Sequence, residues 1–186
     1  MSTSLSALRV LLVDDNQHMR SIVAAVLAGV GVQQVRECWD GAEALEALRQ
    51  WPADVAIIDF QMQPIDGVEL TRLVRNAGDS PNPFLPIIML TGHAERIRVE
   101  EARDAGVTEF VVKPVTARAV LDRLNAVISK PRPFVRTADY FGPDRRRRQD
   151  PAHCGPWRRK GDGDKGPAGE ELTLDVSPPS SVNGPS

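Results

Sequence analysis

The stretch VLLVDDN, residues 10–16, sets two adjacent carboxylates, Asp14 and Asp15, directly behind four aliphatic side chains. A short apolar run of this kind is typical of a strand that is buried on both faces of a parallel sheet. Two neighbouring carboxylates repel each other, and at the end of a buried strand they also lose hydration. The stretch therefore predicts a buried strand whose carboxyl end requires a positive charge close by.

Four more stretches that are typical of strands, each followed by a segment with helical spacing, occur before residue 129. They are VQQVREC at 32–38, DVAIIDF at 54–60, LPIIMLTG at 85–92 and VTEFVVKP at 107–114. Four of the five helical segments begin at good N-cap residues. These are Asn16, Asp40, Asp66 and Thr116. A strand–helix unit that occurs five times predicts an α/β fold, namely a five-stranded parallel doubly wound (βα)5 sheet of the flavodoxin-like type.

The composition of the chain changes after this repeat. We expect an N-terminal arm at 1–7, a domain at 8–129 and a low-complexity tail at 130–186. The tail is rich in Pro, Gly, Ser and Arg and lacks an apolar run that could form a core, which predicts disorder. Its segment 132–160 carries nine basic and three acidic residues, whereas 161–186 carries one basic and five acidic residues.

Four consecutive arginines at 145–148 are the strongest signal in the tail. Such a run can bind nucleic acid, but it is also common as a solvated charge cluster. Aromatic residues are scattered among the arginines of 132–160, and this combination is typical of protein interfaces. We therefore expect the basic segment to dock on an acidic surface, either of a partner or of the domain itself, with nucleic-acid binding as the alternative.

The chain shows no sign of secretion or membrane insertion. Two cysteines, Cys38 and Cys154, are too few for a disulfide scaffold, and their spacing fits no zinc site. The N-terminal stretch lacks the basic and apolar regions of a signal peptide. No apolar run reaches the length of a membrane span. We expect a cytoplasmic protein.

Polar side chains stand at the carboxyl ends of four predicted strands. Asp14 and Asp15 end the first strand, Asp59 the third, Thr91 the fourth and Lys113 the fifth. In an open parallel sheet these ends share one crevice. Three carboxylates in one crevice require a cation, and their hard oxygen atoms favour Mg²⁺, with Mn²⁺ as an alternative. With such a cation, Asp59 could act as a nucleophile toward a phosphoryl group.

The motifs VDDN, DFQMQPIDG, LTG and FVVKP, in this order and at strand ends, resemble the receiver domain of two-component response regulators. The resemblance covers residues 8–129 and implies that Asp59 is the phosphoacceptor. It also implies a Mg²⁺ site made of Asp15, Asp59 and the backbone carbonyl of Gln61. Asp14 would contribute to that site through a water molecule.

The same resemblance assigns roles around the phosphoryl group. Thr91 and Lys113 would hold its oxygen atoms, and Phe110 would turn inward on activation. A phenylalanine on a strand is also typical of a core, so both interpretations stay open for Phe110. Gln61 and His93, two residues beyond the acceptor and the threonine, would tune the lifetime of the phosphorylated form.

Two proline positions bear on this resemblance. The family places proline directly after the methionine of DFQM, whereas here Gln63 stands in between and Pro64 follows. We expect a local change in the shape of that loop without loss of the chemistry. The Lys113–Pro114 bond would be cis, as in the family, although most bonds that precede proline are trans.

Together these features indicate a stand-alone response regulator in a phosphorelay. It would accept a phosphoryl group from a sensor histidine kinase or a histidine phosphotransfer protein, and it would signal by conformational switching to a downstream protein. It would catalyse its own phosphorylation and dephosphorylation without being an enzyme for a separate substrate. A DNA-binding regulator would need a dedicated domain such as a helix-turn-helix, for which the tail shows no helical apolar period. A haloacid-dehalogenase-like phosphatase would need its nucleophile on the first strand.

Overall fold

The computed structural model describes residues 5–76, 78, 80–92 and 98–145. The five predicted strands form one parallel sheet in the order β2-β1-β3-β4-β5, which confirms the doubly wound fold. The strands are β1 Arg9–Val13, β2 Gln34–Cys38, β3 Val55–Asp59, β4 Ile87–Thr91 and β5 Glu109–Val112. The strand order reverses beside β1, so the crevice for a ligand lies at the carboxyl ends of β1 and β3.

Five α-helices connect and cover the strands. They are α1 Gln17–Gly29, α2 Gly41–Gln50, α3 Gly67–Arg75, α4 Val99–Ala105 and α5 Ala117–Ser129. All four predicted N-caps are confirmed, because each side chain accepts a hydrogen bond from a backbone N–H in the first turn. None of the helices in the described part of the chain is long and apolar enough to cross a membrane.

The sheet is buried on both faces, and alternate residues of β1 show how. Leu11 and Val13 face a core shared with α2, α3 and α4, whereas Val10 and Leu12 face a core shared with α1 and α5. This alternation follows from the two-residue period of a strand. It explains why VLLV is apolar throughout and why the polar residues begin only where the strand ends.

Helix α4 is the shortest of these helices and buries little apolar surface. Its seven residues bury only Ala102 and Ala105. The spacing of apolar residues predicts a helix over 94–106, but 93–97 lie outside the described residues, so only the second part of that prediction is seen. A helix with so little apolar contact depends strongly on its polar and ionic partners.

The prediction that the chain is disordered from residue 130 is wrong for residues 134–143. Strands β6 Phe134–Arg136 and β7 Phe141–Pro143 pair antiparallel as a hairpin within the same compact unit as the large sheet. Sequence periodicity missed it because its stability comes from contacts with a distant residue. The rings of Phe134 and Phe141 each lie 5.2 Å from the ring of Phe84. Residues 146–186 of the predicted tail lie outside the described residues.

Candidate functional site

Backbone hydrogen bonds align the carboxyl ends of the strands. The N–H of Asp14 donates to Cys38 O (3.2 Å), and that of Lys113 donates to Thr91 O (2.8 Å). The N–H of Phe60, directly after Asp59, donates to Leu90 O at 2.9 Å. Because every strand end is tied to its neighbour, the side chains that follow the strands are held around one crevice.

Three carboxylates meet in this crevice, as the sequence predicts. Asp14, Asp15 and Asp59 each offer an oxygen atom, and these atoms lie within 4.8 Å of one another. Asp14 and Asp59 are buried, with 0% and 5% of their surface exposed, whereas Asp15 is exposed. The cluster is therefore open to solvent on the side of Asp15 and closed behind Asp14.

Asp14 has the most unfavourable surroundings of the three. Its Oδ1 accepts a hydrogen bond from the N–H of Asn16 at 2.8 Å, but its buried Oδ2 has no partner among the described residues. Burial raises the pKa of Asp14, and the neighbouring charge of Asp59 adds to the rise. A buried carboxylate oxygen without a donor is costly, and it indicates a position where a cation fits.

Asp59 is held by two donors on one oxygen atom. Its Oδ1 accepts from the N–H of Phe60 at 2.8 Å and contacts Lys113 Nζ at 2.7 Å. Burial raises the pKa of Asp59, and the ammonium group of Lys113 opposes that rise. Because both donors contact Oδ1, we expect Oδ2 to be the oxygen that binds a ligand in the crevice.

Asp15 is linked to the loop that contains the unusual proline position. Its Oδ2 accepts a hydrogen bond from the N–H of Gln63 at 3.3 Å. The Gln63–Pro64 peptide bond is cis, and so is the predicted cis bond Lys113–Pro114. The shifted proline thus leaves the loop in contact with the acidic cluster, consistent with a change of loop shape alone.

Thr91 and Phe110 lie on the neighbouring strands. Thr91 is buried, and its hydroxyl donates to the carbonyl of Gly92 at 3.2 Å. Phe110 is half-buried against the core on the α2, α3 and α4 side, and the guanidinium carbon of Arg103 lies 5.8 Å from its ring centre. The core interpretation of Phe110 therefore fits this structure, and its inward turn stays a prediction.

The donor set suits a hard divalent cation. Three carboxylates, one of them with an orphaned buried oxygen, match the oxygen ligands of Mg²⁺. Gln61 is exposed in the loop after β3, and the role of its carbonyl as a ligand stays a prediction. His93, the second residue expected to tune lifetime, lies outside the described residues.

Sequence reasoning missed a steric requirement at Gly67. A Cβ atom built on Gly67 would overlap the carbonyl oxygen of Asp59, and the N–H of Gly67 donates to Phe60 O at 3.1 Å. The first residue of α3 thus packs directly on the backbone of Asp59. The only signal in the sequence is the Asp-Gly pair that begins the helix.

A second missed feature is Arg98, which joins α4 to the segment that follows β3. Its guanidinium lies 5.0 Å from the centre of the Phe60 ring and contacts Asp66 at 3.2 Å and Glu101 at 2.9 Å. Residue Phe60 directly follows Asp59, so Arg98 connects the start of α4 to the neighbourhood of the acidic cluster. The spacing of Arg98 and Glu101 indicates a helical ion pair, but not the contact with Phe60.

Comparison with known proteins agrees with this geometry. The family model described as response regulator receiver domain matches residues 10–125. Chemotaxis protein CheY-3 of Vibrio cholerae is 32% identical over 123 residues, which cover 66% of this chain and 93% of that protein. The solved structure of chemotaxis protein CheY4 of Vibrio cholerae is 32% identical, with a TM-score of 0.59 over 65% of this chain and 98% of its own.

A second solved structure is informative about the crevice. It is the receiver domain of a sensor histidine kinase from Pseudomonas aeruginosa, with a magnesium ion coordinated in its active-site cleft. It is 27% identical to this chain, with a TM-score of 0.59 over 66% of this chain and 98% of its own. The family match ends at residue 125, so the hairpin of β6 and β7 lies beyond it.

Proposed function

Because the chain belongs to the response regulator receiver domain family, we propose that it accepts a phosphoryl group on Asp59 and signals by switching conformation. The donor would be the phospho-histidine of a sensor kinase or of a histidine phosphotransfer protein in a phosphorelay. The observation that carries the proposal is the setting of Asp59, a buried carboxylate with Lys113 Nζ at 2.7 Å from one oxygen and two more carboxylates nearby.

The transfer follows from the two different environments of the Asp59 oxygens. Oδ1 is engaged by Lys113 and by the N–H of Phe60, so Oδ2 is the attacking atom. Oδ2 forms a bond to phosphorus while the phosphorus–nitrogen bond of the donor histidine breaks and its electron pair returns to the imidazole. Lys113 then lies beside the new acyl phosphate and offsets the negative charge on its oxygens.

A divalent cation completes this site. Asp14, Asp15 and Asp59 would hold it, with the carbonyl of Gln61 as a further ligand, and the orphaned Oδ2 of Asp14 supports this assignment. A bound Mg²⁺ would supply positive charge that polarises the phosphoryl oxygens. The magnesium ion in the Pseudomonas aeruginosa receiver domain is a further support for choosing this metal.

The switch would begin at Thr91. Its hydroxyl now donates to the carbonyl of Gly92, and a phosphoryl oxygen on Asp59 would offer it a charged acceptor instead. The movement of Thr91 leaves space beside β5 that Phe110 can fill by turning inward. Phosphorylation would thus shift an existing equilibrium between two conformations rather than create a new one. Hydrolysis of the acyl phosphate by the protein itself would end the signal.

Phosphorylation can be tested on the intact chain with a small donor. Phosphoramidate with Mg²⁺ should add one phosphoryl group, detected by intact-mass spectrometry, and Asp59→Asn should abolish the adduct. Asp122→Asn, an exposed carboxylate of α5 that is 3.7 Å from Arg118, is the matched control and should react normally. An adduct that persists in Asp59→Asn would place the acceptor at another residue.

A further inference from the structure

Residues 131–145 form a structured extension beyond the family match. We call this segment the C-terminal clasp. It contains the hairpin of β6 and β7, and both Gly142 and Pro143 are buried. A Cβ atom on Gly142 would lie 3.0 Å from the Cα of Gly106, in the turn between α4 and β5. The clasp is thus in close backbone contact with the end of α4.

Aromatic rings attach the clasp to the loop before β4. Phe134 and Phe141 pack edge-on against Phe84, with ring centres 5.2 Å apart in both cases. Edge-to-face pairs of this kind are favourable beyond the area that they bury. Phe84 nevertheless stays 57% exposed, so the attachment covers only part of the ring and is not equivalent to a buried core.

Arg75 provides the central polar contact beneath the clasp. Its guanidinium donates two hydrogen bonds to the carbonyl of Gly106, at 2.9 and 3.1 Å, and one to the carbonyl of Pro83 at 2.9 Å. The same group lies 5.0 Å from the centre of the Phe134 ring. Burial lowers the pKa of Arg75 to about 10, so it stays protonated at neutral pH. Arg75 therefore joins the end of α3, the α4–β5 turn and the clasp.

Arg145 attaches the end of the clasp to α4 itself. Its Nη1 lies 2.6 Å from a carboxylate oxygen of Asp104, and its guanidinium lies 3.8 Å from the ring centre of Tyr140. The Nε of Arg145, however, is buried without a partner among the described residues. An unpaired buried donor opposes the docked position, so this attachment is only partly satisfied.

The two ends of α4 therefore have different neighbours. Its N-cap residue Arg98 contacts Phe60, the residue that follows Asp59, and pairs with Asp66. Its last turn is tied through Asp104 to Arg145 of the clasp. Of the seven residues of α4, only Ala102 and Ala105 are buried. A helix of seven residues is only about 10 Å long, so we expect a displacement at one end of α4 to move the other end as well.

We propose that the C-terminal clasp is an intramolecular brake on the switch, which docks on α4 and opposes the conformation that phosphorylation of Asp59 favours. The proposal rests on the proposed function. A phosphoryl group on Asp59 would add negative charge to the residue that precedes Phe60, and would draw Arg98 away from Asp66 and Glu101. The resulting shift of α4 displaces Asp104 and Gly106, whose close contacts with the clasp tolerate little movement.

The coupling must be reciprocal. If phosphorylation weakens docking of the clasp, a weakened clasp must favour the phosphorylated conformation by the same factor. Release would also free Arg145, the first of the four consecutive arginines, for an acidic surface elsewhere. Arg132 and Arg145 pair with Glu109 and Asp104 of the domain itself, which is one of the two acidic surfaces expected for the basic segment. Docking on a partner stays a prediction.

A charge swap in the full-length chain tests the brake. Asp104→Arg and Arg145→Asp each remove the ion pair, and the double variant restores it with the charges reversed. Beryllofluoride with Mg²⁺ serves as the phosphoryl mimic, and its affinity is measured by calorimetry. Each single variant should bind beryllofluoride about three- to fivefold more tightly, which is the effect expected from the loss of one exposed ion pair. The double variant should bind it within about twofold of wild type.

Hydrogen exchange of residues 134–143 in the same samples separates the outcomes. Exchange should accelerate in both single variants and in wild type with beryllofluoride. Swapping Arg118 and Asp122 on α5 is the control and should change neither readout. Phe84→Ser removes the ring contacts with Phe134 and Phe141 and so weakens docking of the clasp independently of the ion pair. It should also increase the affinity for beryllofluoride.

Three results would overturn the proposal. Faster exchange with unchanged beryllofluoride affinity would mean that the clasp docks without acting on the switch. Unprotected amides in wild-type 134–143 would mean that the clasp does not dock at all. A wild-type chain that binds no beryllofluoride would refute the proposed function itself, and the brake would fail with it.

Discussion

The substitution Asp14→Asn tests the central electrostatic feature of the site, its excess of negative charge. Asparagine has nearly the same shape as aspartate and can keep the hydrogen bond from the N–H of Asn16. Its NH₂ group would replace the buried Oδ2 that has no partner among the described residues. The new donor would lie beside two carboxylates that accept hydrogen bonds. We therefore expect Asp14→Asn to be more stable than wild type when no divalent metal is present.

The sign of this effect depends on pH. Burial raises the pKa of Asp14 in the folded state above its unfolded value of 3.8. A raised carboxyl pKa contributes its full stability below the unfolded value, and that contribution is lost as the pH rises through the folded value. At pH 7 the ionised Asp14 is therefore a cost that the variant avoids, whereas at pH 3.5 the difference between variant and wild type should largely disappear.

The size of the effect follows from the separation of the charges. At 4.8 Å and an effective dielectric constant of about 20, two carboxylates repel each other by roughly 3.5 kcal/mol. Lys113, at 2.7 Å from Asp59, offsets part of this repulsion. We expect Asp14→Asn to raise the free energy of unfolding by about 1–3 kcal/mol in a chelating buffer at pH 7.

Urea unfolding followed by circular dichroism measures this difference directly. The gain should shrink or reverse in 10 mM Mg²⁺, on the order of the concentration needed to saturate a weak carboxylate site, because the variant binds the metal less tightly than wild type. Asp122→Asn, exposed on α5, is the control and should change stability little in either buffer. A loss of stability in chelator at pH 7 would refute the electrostatic reasoning. A gain undiminished by Mg²⁺ would exclude Asp14 from the metal site.

Three other substitutions test the steric and kinetic parts of the site. Gly67→Ala places a Cβ atom against the carbonyl oxygen of Asp59; it should cost about 1–3 kcal/mol in urea unfolding and slow phosphorylation. Its control, Gly29→Ala, has open space around the new atom and should be nearly neutral, so equal effects at both positions would contradict the steric argument. Gln61→Ala and His93→Ala should each change the half-life of the phosphorylated form, measured by the decay of the mass adduct, with little effect on folding. Half-lives equal to wild type in both variants would assign the control of lifetime to other residues.

Local patterns were sufficient to predict the sheet and most of its helices. Apolar runs of four or five residues mark the central strands β1, β3 and β4, which are covered on both faces. Four helices are capped by side chains whose hydrogen bonds reach no further than three residues, namely Asn16, Asp40, Asp66 and Thr116. These interactions depend on neighbours along the chain, so the amino-acid sequence is sufficient to predict them. The acidic site was predictable for a related reason, because a parallel topology brings the residues after each strand to the same edge.

The different burial of the carboxylates in the site could not be predicted from the sequence. Asp14 and Asp15 are neighbours in the sequence, yet one is fully buried and the other exposed. The two side chains leave the chain in different directions, and only the packed strands and loops around them determine which one loses its water. The approach of Gly67 to the backbone of Asp59 likewise depends on how α3 packs after the loop turns.

The C-terminal clasp is the clearest case of a structure that tertiary contacts alone decide. The sequence by itself determined the five strand–helix units and the cluster of Asp14, Asp15 and Asp59, because periodicity and topology are sufficient for both. It predicted disorder for 134–143, because two strands of three residues carry no periodic signal and cannot be stable alone. They are held by Phe84, Arg75 and Asp104, which lie 30 or more residues away, and only the folded domain brings these partners together.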